Sequence, residues 1–202
     1  MKKIFFSVCC LALFALSSVA CAGQGANKDA TVAANEVAGI NDVDAVAAQA
    51  DSTGYLVRVG QMAPDFNITL TDGKQINLST LRGKVVMLQF TASWCGVCRK
   101  EMPFIEKDIW LKNKNNPDFM LIGIDRDEPL DKVLAFMKST GVTYPMGLDP
   151  KADIFAKYAL RNSGITRNVL IGRDGKIIKL TRLYNEEEFN SLVKEINEAL
   201  KN

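Results

Sequence analysis

Cys95 and Cys98, two cysteines separated by two residues, are the side chains of this sequence best suited to chemistry. They stand in Trp94-Cys95-Gly96-Val97-Cys98, between an apolar, β-favouring run from Val85 to Phe90 and a stretch that reads as a helix. A Cys-x-x-Cys pair at a strand-to-helix junction suits reversible dithiol–disulfide exchange. The free N–H groups of a helix start favour a thiolate at Cys95, and Arg99 and Lys100 add positive charge close by. A zinc site would need more ligands than the chain offers. It has no histidine, and its other cysteines, Cys9, Cys10 and Cys21, are all near the N-terminus. No metal is expected, and histidine-assisted catalysis and histidine-ligated haem fall away with it. A purely structural disulfide over so short a loop would constrain little chain.

The elements that must position this pair can be read on either side of it. Phe66–Leu70 and Gln75–Leu78 alternate apolar with polar residues around Asp72-Gly73, which predicts a β-hairpin. After the cysteines a helix is expected from Gly96 to Asn113, kinked at Pro103. Phe119–Ile124 reads as a strand buried on both faces. Asp125–Leu130 would then cap a helix with Val133, Leu134, Phe136 and Met137 inward. Val142–Met146 is expected to be extended, and Asp149-Pro150 to open a small helix through Ala159. A second hairpin is expected from Asn168–Ile171 and Ile177–Arg182. A helix from Glu186 to Leu200 follows, with Phe189, Leu192, Val193, Ile196 and Leu200 inward. The sum is an α/β fold, a three-layer α/β/α sandwich around a mixed central sheet with an added N-terminal hairpin.

Phe90-Thr-Ala-Ser-Trp-Cys-Gly-Val-Cys-Arg-Lys-Glu-Met-Pro103 resembles the active site of the TlpA/ResA-like thioredoxins, in the AhpC/TSA–Redoxin superfamily. Gly60-Gln-Met-Ala-Pro-Asp-Phe66 resembles their entry segment, so the likeness covers about residues 58–200. It implies a thioredoxin-like fold and an extracytoplasmic thiol–disulfide oxidoreductase, with Cys95 attacking and Cys98 resolving. Substrates would be disulfides of other proteins, and a membrane thiol relay would be the reductant. Gly96 and Val97, between the cysteines, would tune redox poise. Trp94 would cover the cysteines and dock substrate, or simply pack. Glu101 matches an acid that relatives place near the thiols, and would relay a proton from Cys98 or lie solvated on the helix. Position 89, acidic in ordinary thioredoxins, is Gln89. The main departure is in Gly164-Ile-Thr-Arg-Asn-Val-Leu-Ile171, where Thr166 takes the place of the usual cis-proline facing the cysteines. That departure leaves open a non-catalytic binding domain. A peroxidase is a weaker alternative: Arg167 stands near a peroxiredoxin arginine, but Ala92 replaces the hydroxyl residue expected three before Cys95.

At the N-terminus, residues 1–20 combine a basic start, an apolar run and small residues, the pattern of a secretory signal peptide. Ser18-Val-Ala-Cys21 resembles a bacterial lipobox, which implies lipid on Cys21 and a membrane anchor; ordinary signal-peptidase cleavage at Ser18-Val-Ala20 or Ala20-Cys-Ala22 is the alternative. Residues 21–54 carry five acids against one lysine from Ala22 on and no aromatic residue, which reads as a mobile spacer before a domain at 55–202. A net charge of +2 gives no reason to expect nucleic acid, and 48% apolar residues suffice for one core.

Overall fold

The computed structural model describes residues 50–201. The signal peptide, Cys21 and nearly all of the spacer expected from the sequence lie outside the described residues. Seven strands form one mixed sheet in the order β2-β1-β5-β4-β3-β6-β7. They are β1 (Asn67–Leu70), β2 (Gln75–Asn77), β3 (Val85–Thr91), β4 (Phe119–Arg126), β5 (Met146–Asp149), β6 (Arg167–Ile171) and β7 (Ile177–Arg182). β3, β4 and β5 run parallel, while β6 lies antiparallel to β3 and β7 to β6. The hairpin β1–β2 joins through β1 to β5, also antiparallel. Both hairpins expected from the sequence are present.

β3 lies between β4 and β6 and is buried along its whole length. Its alternate residues feed two cores. Val86, Leu88 and Phe90 pack with Phe66, Phe155 and Tyr158 on one face. Val85 and Met87 join Met102, Ile105, Phe136, Leu192 and Ile196 on the other. The second face is covered by three helices: α1 (96–113), which carries the cysteine motif, α2 (Leu130–Thr140) and α4 (Glu186–Ala199). The first is covered by α3 (Phe155–Tyr158) and the entry segment around Tyr55 and Val57. Three layers result, as expected.

α1 runs as α-helix over Gly96–Phe104, widens to a π-helix over Ile105–Trp110 and closes with Leu111–Asn113. Pro103 has no N–H to give to the preceding turn, and the helix widens just beyond it instead of ending. Three local expectations are corrected. The fifth strand is Met146–Asp149, not Val142–Met146, because the Thr143 N–H is taken by Glu106 Oε2 at 2.8 Å and Pro145 cannot donate. Asp125 and Arg126 do not cap α2: they extend β4 by pairing with Leu148 and Asp149, and the helix starts at Leu130. Leu134 is 47% exposed, since only Val133 and Phe136 of α2 are fully buried. Asp149 does prepare its helix, accepting the N–H groups of Ile154 at 3.1 Å and Phe155 at 2.8 Å. Gly147 is the residue that β1 requires, because any side chain there would collide with Ile68.

Candidate active site

β3 ends at Thr91, and Ala92-Ser93-Trp94 turns the chain into α1. Cys95 is the N-cap of that helix, in extended conformation, and its Sγ accepts the Cys98 N–H at 3.1 Å. Cys95 and Cys98 form a disulfide with Cα atoms 5.3 Å apart. One helical turn is the spacing that lets the second sulfur reach back to the first. Cys98 is fully buried and so less accessible than Cys95, as the sequence suggested. Cys95 is less open than the sequence suggested, at 8% exposure. The residues around it are open: Trp94, Gly96 and Val97 are all exposed and rim the disulfide.

Thr166 sits where the sequence placed it, opposite the cysteines. Its Oγ1 lies 3.2 Å from Cys95 Sγ and 3.3 Å from Cys98 Sγ, and the residue is buried. A hydroxyl in that position can donate to whichever sulfur carries negative charge.

Glu101 is not a solvated helix carboxylate: it is 2% exposed. Its Oε1 accepts Asn168 Nδ2 at 2.7 Å, and Asn168 also donates to Thr181 Oγ1 at 3.0 Å. Burial pushes the acid up to about 7, against the opposing pull of the Asn168 hydrogen bond. Gln89 contributes an acceptor, taking the Tyr144 hydroxyl at 2.6 Å. Arg99 does not simply stand near the thiols; its Nε donates to Ser93 O at 2.8 Å.

Among the described residues Arg167 is the largest fully buried side chain. Its guanidinium donates to Thr53 O at 2.6 Å and Gly164 O at 3.0 Å and lies 4.3 Å over the Tyr55 ring. It braces the entry segment, so its hydrogen bonds serve that segment instead of a peroxide beside Cys95. Sequence reading missed Asn168, Glu128 and the bracing by Arg167. The acid run Asp125-Arg-Asp-Glu128 was visible, but only the turn of the chain aims one of its carboxylates at the cysteine loop.

The Redoxin family model matches residues 58–200. The chain belongs to the Redoxin family. Among Redoxin-type relatives it is 32% identical over 123 residues to the thiol-disulfide oxidoreductase ResA of Bacillus cereus, spanning 61% of this chain and 69% of that one. A solution structure of a candidate protein disulfide isomerase from Bacteroides thetaiotaomicron is 82% identical. It covers 75% of this chain and 96% of that chain with a TM-score of 0.73. A crystal structure of a candidate thiol:disulfide interchange protein DsbE from Chlorobium tepidum is 26% identical. It covers 71% and 99% of the two chains, with a TM-score of 0.61. With its Cys-x-x-Cys disulfide at the head of α1, this Redoxin-family chain is a thioredoxin-like thiol–disulfide oxidoreductase.

Proposed function

We propose that this oxidoreductase reduces disulfides of proteins outside the cytoplasm, using Cys95 as nucleophile and Cys98 as the resolving thiol. The observation that carries this reading is the asymmetry of the pair: Cys95 retains a solvent-facing edge at a helix N-terminus, while Cys98 has none. The Cys95 thiolate attacks one sulfur of a substrate disulfide, forms a mixed disulfide and expels a substrate thiolate that takes up a proton. Cys98 then attacks Cys95 Sγ, forms the Cys95–Cys98 disulfide and releases the second substrate thiol. Two electrons pass from dithiol to substrate, and a membrane thiol relay restores the dithiol. Trp94, Gly96 and Val97 form the docking rim, and Thr166 supports the developing thiolate. Glu101, neutral below about pH 7, holds a proton for the exchange. Residues 1–20 serve as a signal peptide, Cys21 as a lipidated anchor and 21–54 as spacer, placing the 55–202 domain on the outer side of a membrane.

Insulin reduction by the reduced full chain tests the assignment. Wild type should turn over and Cys95→Ser should be inert. Cys98→Ser should accumulate the mixed disulfide, visible on a non-reducing gel. Turnover by Cys95→Ser would overturn the roles of both cysteines.

A further inference from the structure

Ser93, two residues ahead of the nucleophile, has every polar group held from outside its own turn. Its N–H donates to Glu128 Oε2 at 2.5 Å and its hydroxyl to Glu128 Oε1 at 2.5 Å. Its carbonyl accepts Arg99 Nε at 2.8 Å. Arg99 is itself braced against α2, donating to Ser139 Oγ at 3.1 Å and lying 4.9 Å over the Phe136 ring. Glu128 reaches Ser93 because the chain reverses after β4, with Asp127 at φ 64°. Thr91, just before this turn, pairs across the sheet with Asp125. The loop between β3 and α1 is therefore tied to the segment that follows β4 by one carboxylate with both oxygens occupied.

We propose that Glu128 is a positioning residue for catalysis, its forked hold on Ser93 setting the orientation in which Cys95 meets a substrate disulfide. This role rests on the exchange reading of the Cys95–Cys98 pair. Asp125, paired across the sheet with Thr91, is fully buried, and burial first, then the charge of Glu128, pushes its carboxyl up to about 8.

The test is the rate at which the reduced full chain attacks Ellman's reagent from pH 5 to 10, followed by stopped flow. Glu128→Gln and Ser93→Ala should each lower the limiting rate at full thiolate by about 3- to 10-fold, the effect of one or two lost hydrogen bonds. The proposal is overturned if Ser93→Ala and Glu128→Gln both keep the wild-type limiting rate. It is overturned equally if only Glu128→Gln changes it, since the charge would then act without Ser93. Should Glu128→Gln fail to fold, Ser93→Ala carries the test alone. Wild type inert toward both insulin and Ellman's reagent would sink the exchange reading. An active wild type with unaffected variants would sink the positioning role only.

Discussion

A threonine hydroxyl within 3.2 Å of one sulfur and 3.3 Å of the other is the distinctive residue-level feature of this site. The sequence showed that Thr166 stands where relatives carry proline, and the structure shows what the replacement brings: a donor where proline has none. A hydrogen bond to a charged acceptor contributes about 1.5–3 kcal/mol, enough to favour the Cys95 thiolate roughly tenfold or more. Thr166→Val keeps the shape and removes the donor. Its Cys95 alkylation rate at pH 7 should drop by about tenfold or more, with the midpoint of the pH–rate curve moved upward. An unmoved midpoint would show that the hydroxyl does not serve the thiolate. Position 166 was legible as unusual from its neighbours in sequence, but its contact with both sulfurs was not, because it spans 71 and 68 residues of chain.

Among the elements, α1 and β6 meet through Glu101 and Asn168. Helical spacing placed Glu101 on the cysteine helix, but not whether that face meets water or sheet. The sheet decides: β6 brings Asn168 beneath the helix, opposite Gln89 of β3. The consequence for stability follows from the direction of the shift. With the folded-state value raised from 4.5 to about 7, folding holds the proton more tightly than the unfolded chain does. No cost exists below about pH 4.5; it grows between there and about pH 7 and stands in full above that, at about 3 kcal/mol. Glu101→Gln mimics the neutral acid and can still accept from Asn168. It should raise the thermal midpoint by several degrees at pH 8 and barely change it at pH 4. Equal changes at both pH values would refute the buried-acid account. If Glu101 also carries the exchange proton, the same variant should flatten the pH profile of insulin reduction near 7.

For the whole molecule, the entry segment is sewn to the domain before the first strand begins. Arg167 holds Thr53 O, the Tyr55 hydroxyl donates to Thr181 O at 2.7 Å, and Leu160 N–H donates to Gly54 O at 3.0 Å. Gly54 adopts φ 81°, and a side chain there would press on Ser163, so glycine lets the chain pass close. Any tether therefore pulls on a braced point. If Cys21 is the lipidated anchor, Cys21→Ala should move the expressed protein from the membrane to the soluble envelope fraction and abolish palmitate labelling, while insulin reduction is unchanged. Unaltered fractionation would exclude the anchor. Residue types and short spacings were enough to read the redox pair and the two hairpins, because each of these is local. They were not enough to show that Cys95 is mostly covered, that Glu101 is buried on Asn168, that Arg167 braces the entry or that Glu128 grips Ser93. Each of those joins residues far apart in the chain, and only the packing of the sheet brings them within reach of one another.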